Sequence, residues 1–439
     1  CALPIFYPFR GANVGNMADF ERDFRVKNVV RLEQNYRSHG NILDAANALI
    51  SNNRNRLGKN LWTSAGKGEP LRVFEGESDN DEARWLVAEV QALARDGTRL
   101  SQIGILYRSN AQSRVVEHAL FSQGIPYRVY GGLRFFERAE VKHALAYLRL
   151  AAAPDDDNAF LRVVNFPARG IGGRTVEQLQ DAAKRDGVSL MKAVTEGKAA
   201  SFKKLIDELR AEVQGLALAE VVEVTIAKSG LIEHYKTERE GADRIENLEE
   251  LVNAAAAFTQ EERETESGEV ADPLTAFLTH AALEAGEHQA GEGQEALQMM
   301  TVHSAKGLEF DVVFLTGLEE GLFPHSRSSD DAAELEEERR LCYVGITRAQ
   351  RRLVLTSAAR RRVFGEYQST TPSRFVDEIP RELLDDISPA SVSPYQSSFS
   401  QFRRSAYGRG GMARAEPLAF ADDTPAPTAL LFRRVKPQS

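Results

Sequence analysis

The chain has 439 residues, 42% of them hydrophobic and 27% charged, with a net charge of −9. That composition excludes a mainly disordered or fibrous protein, and the length predicts two to four domains at roughly 100–200 residues each. No stretch of about 18 apolar residues occurs, so no membrane span is expected, and Cys1 and Cys342 are too few for a disulfide framework or a cysteine-based zinc site.

The chain starts without Met and without a basic region followed by an apolar stretch. A cytoplasmic chain, processed or cut from something longer, is the expectation. Residues 71–74 read as a short strand. Trp85, Leu86, Val90 and Leu93 then mark one helical face, closed by Gly97. A second apolar run follows at 103–107, then a helix through Val115, Val116, Ala119 and Leu120 to Gly124. A third strand is predicted at 127–130. Strand, helix, strand, helix, strand is the grammar of a parallel sheet. From Val141 to about His280 the patterning is mostly helical, with a polar loop expected over 261–269. Strands return at 298–302, 312–315 and 353–356, and a helix starts at 334–338, where acids suit the positive end of the helix dipole. From about Pro380 the chain becomes Ser-, Pro- and Arg-rich and reads as a flexible tail. One α/β unit split by a helical insertion is therefore predicted.

Charge is uneven. Between Glu338 and Glu366 lie Arg339, Arg340, Arg348, Arg351, Arg352, Arg360, Arg361 and Arg362 with no acid. Residues 108–149 also lean basic, and 238–295 are acidic. Local salt bridging and a phosphate-binding surface are both open readings of such runs.

Three segments carry chemistry. Residues 301–314, TVHSAKGLEFDVVF, run strand, polar Gly turn, strand. The turn is expected to gather hydroxyl, imidazole, ammonium and carboxylate at one strand end, where ligands bind in α/β sheets. Residues 337–349, EERRLCYVGITRA, end a helix near Arg348. A planar, permanently charged guanidinium there suits charge spread over phosphate oxygens. Residues 32–38, LEQNYRS, set an aromatic beside an Arg. A fourth segment, 165–175, is Gly-rich, and Thr175 with Gln178 reads as a capping box that starts a helix, a ready anion site.

These segments, in this order, resemble the superfamily-one DNA helicases of the UvrD/PcrA/Rep type. Supporting stretches are Tyr7-Pro8-Phe9-Arg10-Gly11-Ala12, ILYRSNAQSR at 105–114 and GGLRFFERAEVK at 131–142. The similarity covers roughly residues 7 to 378. It implies two RecA-like domains with ATP and Mg²⁺ between them, and translocation on single-stranded DNA with 3′ to 5′ polarity. Residues 1–35 would be a remnant of the first such domain. Residues 36–140 and 281–378 would form the second, 141–280 the accessory insertion and 379–439 the flexible tail.

By the same resemblance, Arg37 and Arg348 would reach the terminal phosphate. Tyr36 would stack on the base, with Arg10, Lys306, Gly307 and Glu309 on the nucleotide side. Phe9, Thr301, His303 and Arg108 would contact single-stranded DNA. Arg169, Gly170, Ile171, Gly172 and Thr175 would meet the duplex backbone. Partners would be single-strand/duplex junctions, and repair or replication proteins through the insertion or tail. No protein metal-ligand set is read from the sequence. One departure stands out. No Gly-x-x-x-x-Gly-Lys-[Ser/Thr] occurs anywhere, and no acidic metal motif precedes Tyr7. The expectation is the C-terminal part of such a helicase, hydrolysing ATP poorly or not at all by itself. The alternative is a catalytically incomplete module that binds DNA or a protein partner.

Overall fold

The computed structural model describes residues 22–25, 32–54, 60–239, 241–264, 272–286, 294–329 and 331–389. Phe9, Arg10 and the tail beyond 389 lie outside these residues. In chain order, α1 (Gly40–Ser51) precedes β1 (Leu71–Gly76), α2 (Asp79–Arg95), β2 (Ile103–Tyr107), α3 (Ser113–Ser122) and β3 (Tyr127–Val129). After a long helical stretch come β4 (Leu297–Thr301), β5 (Phe310–Leu315), α13 (Ala332–Ile346) and β6 (Ala349–Ala358). A hairpin, β7 (Arg360–Val363) and β8 (Glu366–Ser369), then leads to α14 (Arg374–Asp377) and β9 (Leu384–Asp386).

Seven strands form one sheet in the order β3-β4-β2-β5-β6-β1-β9, and every neighbouring pair is parallel. All five residues of β2 are buried, the run expected of a strand covered on both faces. Ile42, Leu49, Cys342 and Ile346 of α1 and α13 pack on one face. Leu86, Val90, Val116 and Leu120 of α2 and α3 pack on the other. Ser78 caps α2 by accepting from the Asp81 amide, and Asp79, Asp81 and Glu82 fill its first turn. Gly104 lets β2 and β5 approach closely: a Cβ there would lie 2.7 Å from the Phe310 ring.

Between β3 and β4 the chain is helical, as the patterning predicts. The elements are α4 (Ala139–Ala152), α5 (Asp157–Val163), α6 (Gly173–Asp186), α7 (Leu190–Ala193), α8 (Lys198–Glu212), α9 (Leu218–Ser229), α10 (Leu231–Tyr235), α11 (Gly241–Glu264) and α12 (Pro273–Gly286). This block has its own apolar core, including Phe135, Tyr147, Phe160, Phe202, Leu251 and Phe277. That core is separate from the two that cover the faces of the sheet.

Part of the acidic stretch at 238–295 finds its partners at the seam between block and sheet half. Acids of α11 and α12 reach basic groups across it. Glu250 pairs with Arg114, and Glu246 accepts from Arg327 at 3.0 Å and from the Ser109 hydroxyl at 2.9 Å. His118 of α3 lies 2.5 Å from Glu284 of α12 and 3.2 Å from Glu261 of α11. The hairpin joins the same seam. Its turn residues Phe364 and Gly365 have φ of 50° and 84°, a two-residue turn matched to strand twist. The Gly365 amide donates to Asn253 Oδ1 at 2.9 Å, docking the turn on α11.

Three expectations need correction. Ordered structure continues past Pro380, because β9 adds to the sheet edge beside β1. Three residues with one apolar side chain gave no periodicity to read. Residues 261–264 finish α11 and are not loop, since long charged side chains are good helix formers. The polar Gly turn expected between β4 and β5 is instead a crossover. β2 lies between these parallel strands, so residues 302–309 cross from one end of the sheet to the other.

Candidate functional site

That crossover divides the TVHSAKGLEFDVVF segment. Thr301 and His303 stand at the carboxyl end of β4, while Glu309 stands at the amino end of β5. The expected gathering of hydroxyl, imidazole and carboxylate at one strand end does not occur. The segment instead contributes to two opposite edges of the sheet.

At the amino edge, α13 ends at Thr347 and Arg348 leads into β6. The Arg348 guanidinium donates to Val344 O at 3.0 Å, Leu308 O at 3.1 Å and Thr347 Oγ1 at 3.2 Å. All three are neutral oxygens, and a cation suits the carbonyl end of a helix. Burial, then the Arg37 charge, lowers its pKa to about 10, which leaves it charged at pH 7.

Arg37 is brought to this point by a turn. Asn35 Oδ1 accepts from the amides of Arg37 and Ser38, each at 2.8 Å. The buried Ser38 hydroxyl donates to Ala349 O at 2.6 Å, seating the turn on the first residue of β6. Arg37 then bonds Glu309 at 2.5 Å and Thr347 O at 3.2 Å. Gln350 holds the other Glu309 oxygen at 3.0 Å. Tyr36 is 83% exposed, its hydroxyl 2.9 Å from Gln34 Oε1. Lys306 and Gly307, the latter at φ 90°, sit just ahead of Leu308 on the crossover. Two guanidiniums, one carboxylate and an open aromatic face thus share one edge. Planar donors with surplus positive charge suit a phosphate, and an exposed ring suits a base.

The carboxyl edge gathers other candidates. Thr301 Oγ1 donates to Ser304 Oγ at 3.1 Å and accepts from the Ser304 amide. Arg108, just past β2, is clasped by both oxygens of Glu338 at 2.8–3.0 Å. Its fork is therefore largely committed within the protein. His303 is exposed at this edge, and desolvation by the surrounding protein, then the Arg108 charge, lowers its pKa from the ordinary imidazole value.

The loop at 165–175 differs most from its expectation. Arg169 points inward, donating to Val163 O, Pro167 O, Ser229 O and the Tyr147 hydroxyl at 2.7–3.2 Å. It also stacks over Tyr147 and Phe202. Ile171 is buried in the helical core. The carbonyls around Arg169 thus take up its donors within the protein. The capping box of Thr175 and Gln178 is not made. Helix α6 starts at Gly173 with Gly172 at the cap, and Thr175 lies inside the first turn. Gly170 takes φ 71°. Gly172, Gly173, Arg174 and Thr175 remain exposed at that helix start.

Reading the sequence missed Asn35, Thr347, Gln350 and Glu338. Asn35 before Tyr-Arg was the one legible signal, since Asn commonly caps such turns. Gln350 and Glu338 act only through distant partners, and Thr347 joins its neighbour Arg348 to the distant Arg37.

Comparison with known proteins agrees with this architecture. The UvrD-like helicase C-terminal domain family matches residues 30–360. DNA helicase II of Escherichia coli (strain K12) is 49% identical over 395 residues, covering 87% of this chain and 54% of that protein. DNA helicase II of Haemophilus influenzae is 47% identical with the same coverage. The ATP-dependent DNA helicase PcrA of Bacillus subtilis (strain 168) is 40% identical over 439 residues, 95% of this chain and 58% of that protein. The chain spans a little over half the length of these curated relatives. With a family match across most of its described residues and a parallel sheet split by helices, the chain belongs to the UvrD-like helicase C-terminal domain family.

Proposed function

We propose that this chain is the C-terminal part of an ATP-dependent 3′–5′ DNA helicase that separates duplex DNA during repair or replication restart in the cytoplasm. Residues 36–140 and 281–378 serve as its second RecA-like domain and 141–280 as its accessory insertion. The observation that supports this reading most directly is Arg348. It is a preformed cation with no carboxylate bonded to it, beside Arg37 and an exposed Tyr36. Arg37 and Arg348 bind the terminal phosphate of ATP and stabilise its developing charge. Tyr36 stacks on the base. Thr301 and His303 touch single-stranded DNA at the opposite sheet edge, and Gly172 with Thr175 meets the duplex of a single-strand junction. A Mg²⁺ site does not fit the residues around the two arginines. Their one carboxylate, Glu309, is bonded to Arg37 and Gln350. The metal ligands and the phosphate-binding loop belong to the complete enzyme's other RecA-like domain.

The test is ATP hydrolysis, with and without single-stranded DNA, by two proteins. The chain alone is expected to show none. A chimera placing it after the corresponding first half of Bacillus subtilis PcrA is expected to show DNA-stimulated turnover. Turnover by the chain alone, or an inert chimera that still binds ATP, would overturn this division of labour. The second reading, a DNA-holding module without catalysis, gains support from the absence of a Walker-type loop in residues 1–439. It predicts salt-sensitive DNA binding by the chain and an inert chimera.

A further inference from the structure

At the seam between the sheet half and the helical block stands a cluster that the nucleotide and DNA readings do not use. It joins His118 of α3 to His280 and Glu284 of α12, with Glu261 of α11 behind. His280 and Glu284 are i and i+4 on one helix, so they share a face. His118 arrives from the other side. Its Nδ1 lies 2.5 Å from Glu284 Oε1, and His280 Nε2 lies 3.1 Å from the same oxygen. One ligand atom from each of the three residues lies within 4.8 Å of the others. Donors bound to one tetrahedral ion at about 2.0–2.1 Å stand roughly 3.3 Å apart, so little movement separates this arrangement from a coordination shell.

A second feature points the same way. The other His118 nitrogen, Nε2, is 3.2 Å from Glu261 Oε2. A carboxylate on the far ring nitrogen fixes tautomer and orientation, the usual support of a metal-bound histidine. The rings are also locked by packing. His280 meets His118 edge-on with centroids 5.4 Å apart, and it packs against Phe121 and Phe258. Glu284 is 9% exposed and accepts from both imidazoles.

We propose that His118, His280 and Glu284 bind one divalent transition-metal ion of the zinc class, which staples the helical insertion to the sheet half. Two imidazoles and one carboxylate suit Zn²⁺ or Co²⁺ and disfavour Mg²⁺ and Ca²⁺, which take oxygen ligands. Three protein donors leave the fourth position to water, because Glu261 is turned to the back of His118. The sequence hid this site because its three ligands come from positions 118, 280 and 284, on helices joined only by the fold.

The experiment uses the full chain, stripped with a chelator. Zn²⁺ is titrated while heat uptake and thermal unfolding are followed, and Co²⁺ serves as a spectroscopic probe. Expected are one Zn²⁺ per chain, a raised melting temperature, and the visible absorption of four-coordinate Co²⁺. Mg²⁺ at equal concentration is expected to do none of these. His280→Gln should remove binding, with its metal-free melting temperature showing that it folds. Glu261→Gln should keep binding and weaken it roughly 10–100-fold, as loss of an orienting partner does. Failure of the parent chain to bind Zn²⁺, or equal binding by the parent and a folded His280→Gln chain, would overturn the proposal.

Discussion

Arg348 and Arg361 belong to the same basic run, yet they end in opposite surroundings. Arg361 is sunk among carboxylates. It donates to Glu319 at 2.6 and 2.9 Å and to Glu82 at 2.7 Å, and those acids also hold the Thr356 hydroxyl and the Ala358 amide. Burial works against its charge, and Glu319 and Glu82 more than offset that. Arg348 sits at the sheet edge on three neutral oxygens, with its one nearby acid bonded to Arg37. A run of arginines is therefore neither a structural feature nor a functional one as a whole. Between these two, the difference is that Arg361 meets carboxylates inside the fold and Arg348 meets neutral oxygens. Arg339, clasped by both Glu378 oxygens at 2.7 Å, follows Arg361.

The largest expected effect lies on the Arg348 side. In the PcrA chimera, Arg348→Ala should lower kcat by roughly 10³–10⁵, the range for arginine fingers, while the melting temperature moves little. A kcat within tenfold of the parent would sink the phosphate role. Arg361→Met should do the reverse. Removing one member of a buried charge network costs about 3–5 kcal/mol, because Glu82 and Glu319 stay buried without their cation. Denaturant unfolding of the chain reads that loss. If both variants lose the same property, the distinction between edge and interior fails.

Much of the fold was legible because the sheet is buried on both faces. The runs at 103–107, 127–130, 298–302 and 312–315 carry enough apolar and β-branched residues to be read directly, and each lies on or within two residues of a strand. β9 was not legible, since Leu384-Asp385-Asp386 takes its place through pairing with β1 and not through its own pattern. The candidate edge was half legible. Tyr36, Arg37, Glu309 and Arg348 could be named from their segments. That one segment feeds two opposite edges could not, because this depends on β2 lying between β4 and β5. The inward course of Arg169 was hidden for a related reason. Only the fold puts the carbonyls of Val163, Pro167 and Ser229 around it.

A smaller effect tests the helical block, where a base and not an acid lacks a counter-charge. His143 stacks on Phe166 with centroids 3.8 Å apart and meets the Tyr235 hydroxyl at 3.1 Å. Burial, then the charges of Arg162 and Arg244 and the neighbouring His234, lowers it to about 4. Its folded pKa is thus below the unfolded value near 6.5. The associated stability is full above pH 6.5 and is lost as pH falls toward 4. After discounting for partial exposure, the loss should be about 1 kcal/mol. His143→Gln should flatten the melting-temperature profile between pH 6.5 and 4, and an unchanged slope would assign the acid sensitivity elsewhere.

The smallest effect is expected at the Arg37–Glu309 ion pair on the Arg348 edge. Arg37 and Glu309 are bonded, but their side chains are 25% and 49% exposed. Water screens such a pair, and holding two long side chains in register opposes it, so its net contribution is about 0–1 kcal/mol. Glu309→Gln should therefore leave unfolding free energy within about 1 kcal/mol of the parent, since Gln keeps an oxygen for the Arg37 fork and an amide beside Gln350. Arg37 would stay seated by the Asn35 turn and the Ser38 hydroxyl, which do not depend on Glu309. A loss approaching that of Arg361→Met would mean that Glu309 clamps the edge as Glu319 clamps the interior. Arg37 would then be a structural arginine, and Arg348 alone would remain to answer a phosphate.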